Sequence, residues 1–241
     1  MKKISILMLL AFFAVTGYSQ TLEEVREMVG KKNYAGAKAA IDKYLADAKN
    51  TGKAEAWYLK GRVYNDYSNE KTTPQSELYN LKSTAFDAFK KSQALDDKDV
   101  FLKLEGYSSY LDIYFNLYDL GANLFNAKDY EAAYNAFKKA LEVEEYTLNK
   151  KYTYTQATLN VLDTALILNT AVAATQAKKM DEAVGYYRKL TDANVGGEGY
   201  KEVYEFLVEH YNKNENAAGL AEILPKAKKL YPANNYWNQV E

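Results

Sequence analysis

Read for the spacing of its apolar residues, the chain is a succession of helical stripes separated by short polar breaks. In TLEEVREMVGKKNYAGAKAAIDKYLADAKN, Leu22, Val25 and Met28 recur at helical spacing. Gly30 to Asn33 interrupts them, and Ala37, Ala40, Ile41 and Tyr44 resume the period. Thr21 followed by Glu24 is the pattern of a capping box, so a first helix is predicted to start there. AEAWYLKGRVYNDYSNEKTTPQSELYN predicts a helix to about Tyr67, then an exposed polar loop from Ser68 to Glu77 around Pro74.

LYNLKSTAFDAFKKSQAL predicts the next helix, with Leu81, Ala85, Phe89 and Ser92 inward. From Tyr107 the apolar residues of YSSYLDIYFNLYDLGANLFNA cover more than one stripe, the mark of a long helix packed on more than one side. After a break at 126–128, DYEAAYNAFKKALEV places Ala133, Phe137, Ala140 and Leu141 on one face. Residues 144–156 read equally as a loop or a helix start. Helices are expected near 156–176 and 180–190, the second with Asp181 in its first turn or as its cap. TDANVGGEGY, with Gly196, Gly197 and Gly199, is an interior break read as a linker. Helices near 200–212 and 217–230 follow it, the last stopped by Pro232. Strand signals are nearly absent, so the chain is expected to be all-α.

The alanine opening each inward stripe recurs at Ala37, Ala85, Ala133 and Ala183, at intervals of 48, 48 and 50 residues, and a weaker unit lies around Leu220. A lone helix pair cannot bury its apolar face, whereas stacked pairs share one continuous core.

Individual units resemble the tetratricopeptide repeat family. The best match carries Leu117, Leu120, Gly121 and Leu124 in a first helix, then Tyr130, Ala133, Phe137 and Ala140 in a second. Another carries Trp57, Gly61 and Tyr64, then Ala85 and Phe89 after an inserted loop. A third has Ile167, Ala171 and Ala174 followed by Ala183, Tyr187 and Leu190. The last has Tyr204, Leu207, Val208 and Tyr211 followed by Leu224, Ala227 and Pro232, and the first is irregular. The repeats exceed the family's length of about 34 residues. Gly61 and Gly121 supply the small residue that lets paired helices approach; Ala171 nearly does and Val208 does not.

The resemblance implies a right-handed superhelical stack of antiparallel helix pairs, in one domain over 20–241 with units near 21–50, 54–96, 108–145, 157–193 and 200–232. It also implies a groove lined by first helices. Carried onto this chain, the groove positions are Tyr58, Arg62 and Asn65, then Tyr118, Ala122, Phe125 and Asn126. Leu168, Val172, Thr175 and Gln176 continue it, and Glu205, Glu209, Asn212 and Lys213 end it. Trp57, Phe89, Phe137 and Tyr187 are expected in the core, and Gly61 and Gly121 at close helix crossings.

Composition narrows the function. MKKISILMLLAFFAVTGYSQ, with Lys2 and Lys3, an apolar run and small residues before Gln20, reads as a signal peptide over 1–19; its apolar run is shorter than the roughly 17–25 residues of a membrane span. Its removal takes the formal charge from -1 to about -3, which gives nucleic acid or an anionic membrane nothing to start from. There is no cysteine, so thiolate catalysis and cysteine-ligated metals are excluded. The leader and the tyrosine-rich, cysteine-free composition, with 23 tyrosines, resemble envelope proteins of Bacteroidetes, which implies a periplasmic or secreted protein.

No constellation for chemistry stands out. His210 is the only histidine and is read as locally bonded or solvent-facing. Glu142, Glu144 and Glu145 are read as a solvated helix face. Asp66, Asn69, Glu70 and Glu77 lack the spacing and central glycine of a calcium loop, and no phosphate loop is present. No catalytic residue, metal or cofactor is assigned. The expected function is a protein- or peptide-binding scaffold or adaptor for an envelope complex. One alternative is a glycan-binding accessory protein stacking sugars on Tyr58, Tyr118, Tyr107, Tyr110 or Tyr114. Another is a hydrolase using facing carboxylates.

Overall fold

The computed structural model describes residues 21–96, 98–154 and 157–239. Within them the chain is helical, with no strand. Ten long helices form five pairs: α1 (Leu22–Gly30) with α2 (Tyr34–Ala46), α3 (Ala54–Ser68) with α4 (Gln75–Leu95), α6 (Ser108–Asn126) with α7 (Tyr130–Asn149), α8 (Thr164–Gln176) with α9 (Met180–Asp192), and α10 (Lys201–Lys213) with α11 (Ala217–Leu230). A short helix, α5 (Val100–Leu104), lies between the second and third pairs. Each long helix packs on the next along the chain, so the pairs stack in sequence order around a continuous core.

The turns explain why the pairs close alike. In four of them a non-glycine residue in the left-handed region, Lys32, Lys128, Lys178 or Glu215, reverses the chain. Its N–H and that of the next residue return to carbonyls of the helix just ended, as Lys128 N to Phe125 O (2.9 Å) and Asp129 N to Leu124 O (3.0 Å). The following residue then caps the second helix through Asn33, Asp129 or Asn216; Lys179 holds the equivalent place at α9 without a side-chain cap. At the start of α1 the capping box is complete, with Glu24 N donating to Thr21 Oγ1 and Thr21 N to Glu24 Oε2.

Inside three of the pairs, close approach depends on a small residue facing a ring. A Cβ placed on Gly61 would lie 2.5 Å from Phe89, and one on Gly121 2.6 Å from Phe137. In the last pair the arrangement is inverted. Val208 is buried, and the small residue is Gly219 of the second helix, whose added Cβ would meet Tyr211 of the first at 2.8 Å. Ala37, Ala85, Ala133, Ala140, Ala183 and Ala227 are buried, as are Tyr64, Leu120 and Tyr187. Trp57 is only half-buried, with its Nε1 donating to Thr51 O at 2.8 Å, and Pro232 is exposed beyond the end of α11. Trp237 seals the C-terminal end; it is buried, and its Nε1 donates to Tyr231 O (2.9 Å).

Several boundaries differ from the sequence reading. Helix α4 starts at Gln75, inside the expected loop, and α7 continues to Asn149. Helix α8 starts only at Thr164, where Asp163 Oδ1 accepts from Leu166 N (2.9 Å); residues 157–163 are not helical. Asp181 sits in the first turn of α9. The expected leader lies outside the described residues. No helix among them is long and apolar enough to cross a membrane.

Candidate functional site

Helices α6 and α8 are the first helices of adjacent pairs, and between them opens a cavity of about 270 Å³. Ala122, Phe125 and Asn126 enter it from α6, one turn apart on a single face. Leu168, Asn169 and Val172 enter from α8 in the same way, and Phe137 of α7 forms the floor. The floor depends on the small residue above it, because the Phe137 ring lies against Gly121. The ring is also met edge-on by Tyr118, at 5.8 Å and 71°.

The lining carries no charged side chain. Its polar groups are two amides. Asn169 Nδ2 donates to Tyr118 Oη at 3.0 Å, which orients the amide and leaves its carbonyl as an acceptor; Asn126 is exposed at the rim. An uncharged apolar cleft with amides at its edges suits an apolar side chain on an extended backbone. Of the sequence-read groove positions, Ala122, Phe125, Asn126, Leu168 and Val172 therefore come together, with Tyr118 beneath them. Gln176 is exposed at the end of α8, and Thr175 is turned to its own helix, donating to Ala171 O at 2.9 Å. Asn169 was not among the sequence-read positions, although its place one residue after Leu168 on the groove face is a signal that periodicity carries.

The first section of the groove is different. Asn65 is not a groove residue: it is buried, and its Oδ1 accepts from Lys82 Nζ at 2.9 Å. Lys82 of α4 is only 1% exposed and also donates to Asn69 Oδ1 (2.8 Å) and Asp112 Oδ2 (2.7 Å), tying α3, α4 and α6 together. Burial pulls its ammonium below the ordinary lysine range, against the opposing pull of Asp112.

Tyr58 and Arg62 are likewise engaged by the chain itself. Tyr58 stacks on Phe101 of α5 (5.2 Å, 20°) and donates to Glu105 Oε2 at 3.2 Å. Arg62 lies 3.5 Å from the same carboxylate and 3.4 Å from Asp66. The expectation that both residues present a free surface is corrected by this inserted helix, which no stripe in the sequence announces.

In the last section Glu205 accepts from Asn234 Nδ2 at 2.6 Å, so the C-terminal segment returns onto α10. Glu209 pairs with Lys213, and both line a smaller cleft of about 150 Å³ with Met180, Phe206 and His210. The His210 ring lies parallel to Phe206 at 6.2 Å.

The remaining chemistry arranges itself mostly as packing. Tyr110 and Tyr114 are buried, and Tyr107 stacks on Tyr152 at 3.7 Å, so these rings form no open platform for a sugar. Glu144 is not solvated as its sequence context suggests; it is 3% exposed, with Oε1 lacking a partner. Burial first, then Asp163 and Glu145, push its carboxyl up to about 7. Asp163 accepts from Tyr114 Oη at 2.5 Å while capping α8. Asn69 and Asp66, read as members of a charged loop, are held by Lys82 and Arg62. Among the described residues no cluster of three or more His, Asp or Glu could hold a metal ion.

No family model matches the chain, and no curated protein matches it. Among solved structures it is similar to one described as "Functional Characterization of Pseudomonas Aeruginosa pilF", at 17% identity over 90% of this chain and 93% of that one, with a TM-score of 0.33. A score at that level marks a loose superposition, and the stack of helix pairs is established by this chain's own packing.

Proposed function

We propose that this protein is a binding scaffold that holds a segment of another protein in the cleft between α6 and α8, on the exported side of a bacterial envelope, and makes and breaks no bonds. The observation that carries the reading is the uncharged cavity of about 270 Å³ where Ala122, Phe125, Leu168 and Val172 converge and amides stand at the rim. Its walls are first helices locked by buried packing, so the surface is already shaped before a guest arrives, and little ordering entropy is spent on binding. The leader-like sequence supports an exported location. Help in assembling or stabilising an envelope complex follows from presentation of a rigid surface.

Ala122→Arg tests this. It places a long cation in an apolar cleft from a half-exposed helical position, so capture of the native envelope partner should be lost while helicity and melting temperature stay nearly constant. Lys138→Glu, an exposed change on a second helix, should leave capture intact. Capture unaffected by Ala122→Arg would contradict the assignment.

A further inference from the structure

We propose that α5 is a built-in ligand of the α3 face, and that this face accepts in its place a segment of another protein presenting an aromatic ring and, four residues on, a carboxylate. The inference rests on the reading of the protein as a binding scaffold and adds a second site to it, with a stated partner chemistry.

The α3 face shows what it binds because the chain supplies an example. Phe101 lies flat on Tyr58. Glu105, one helical turn further on, accepts from Tyr58 Oη and faces Arg62 Nη1, which itself donates to Tyr58 Oη at 3.2 Å. Ring and carboxylate are thus read together by one tyrosine and one arginine.

The segment is an imperfect occupant. Glu105 Oε1 is buried without a well-formed hydrogen bond, and burial holds the carboxyl above its ordinary range despite Ser109, Arg62 and Tyr58 beside it. Leu104 is 82% exposed and Val100 is exposed as well, so the helix carries apolar residues on its outer side. A segment that satisfies both carboxylate oxygens has an advantage over it.

The segment is also built to leave as a unit. It is five residues long, whereas an isolated helix needs roughly 12–15 to be stable in water. Its ends are fixed: Asp99 accepts from Gln93 Nε2 at 2.6 Å, and Tyr107 stacks on Tyr152. Three residues flanking it, Asp99, Gly106 and Tyr107, hold positive φ, two of them without glycine's freedom. Leu102, 1% exposed, is the anchor that must be released, so the native chain favours the closed form.

The test uses the full chain and a fluorescein-labelled peptide of residues 98–107, KDVFLKLEGY. Phe101→Ala combined with Glu105→Gln weakens the internal ligand but keeps Leu102 in place. The peptide should bind this variant at least about tenfold more tightly than the native chain. Adding Tyr58→Ala and Arg62→Ala should abolish that binding, and a scrambled peptide should not bind. Equal uptake by native and variant chains, no uptake by either, or uptake that survives loss of Tyr58 and Arg62 overturns the proposal.

Should the variant not fold, hydrogen exchange on the native chain decides. Amides of 100–106 should exchange at least about tenfold faster than those of 57–64, showing opening without global unfolding. Equal rates overturn it. The α6–α8 cavity shares no residue with this face, so failure of Ala122→Arg to block its own partner leaves the peptide result unchanged, and the reverse holds too.

Discussion

The Phe137 ring lies so close to Gly121 that a single methyl group on the glycine would stand 2.6 Å from a ring carbon. One contact thereby sets the separation of α6 and α7 and the depth of the candidate cleft, because Phe137 is its floor. Gly121→Ala should destabilise the protein by about 1–3 kcal/mol through overpacking. Gly185→Ala, inside α9 with nothing within 4 Å of an added Cβ, should stabilise it by about 0.5–1 kcal/mol by restoring helix propensity. Urea denaturation of the two variants measures both. Equal effects of the same sign would contradict the packing described.

Much of this architecture is legible in the sequence, because a buried alanine or a ring opposite a glycine leaves a periodic trace. Ala37, Ala85, Ala133 and Ala183 recur at nearly constant spacing, and all four are fully buried. The five groove positions that converge on one cavity come from the resemblance to the repeat family, carried onto the first helices, and not from the stripe pattern alone. What the sequence hides are charges that fold inward and segments too short to have a period. Lys82 and Glu144 sit among polar neighbours and look solvated, yet each is buried by helices distant in sequence. Helix α5 has five residues, little more than one turn, so its occupation of the Tyr58 and Arg62 face leaves no stripe to read. The aromatic positions 110 and 114 reveal burial only once α7 and the loop before α8 are in place.

Lys82 and Asp112 make a charge pair with unequal partners, since the lysine side chain is 2% exposed and the aspartate side chain 35%. Asp112→Ala strands a buried cation and should cost about 2–3 kcal/mol, below the 3–5 typical of a fully buried pair because Asp112 is partly solvated. Lys82→Met removes the buried charge, leaves a carboxylate that water can reach, and should cost less. Chemical denaturation of both variants checks the order. A larger loss for Lys82→Met would show that the lysine's amide partners, Asn65 and Asn69, dominate.

Burial of Glu144 predicts a pH dependence of stability whose sign follows from its raised carboxyl. Its carboxyl is raised from 4.5 to about 7 in the folded chain. Below about 4.5 it is protonated in both states and costs nothing. Between the two values the unfolded chain ionises first, so stability falls as pH rises, and above about 7 the full penalty applies. Glu144→Gln should therefore stabilise the protein at pH 8 by up to about 3 kcal/mol, with little gain at pH 4. Melting curves of native and variant chains across pH 4–8 should diverge as pH rises; parallel curves would contradict the buried, unpartnered carboxylate.

The central claim, that a partner segment lies in the α6–α8 cleft, is tested most directly by site-specific photo-crosslinking in the native cells. A photoreactive residue replaces Asn126 at the rim or, as a control, Lys138 on the second helix α7, with products read by mass spectrometry. The account predicts one stoichiometric protein crosslinked from position 126 through a segment carrying an apolar side chain, and none from 138. Equal crosslinking from both positions, or recovery of polysaccharide alone, would contradict it.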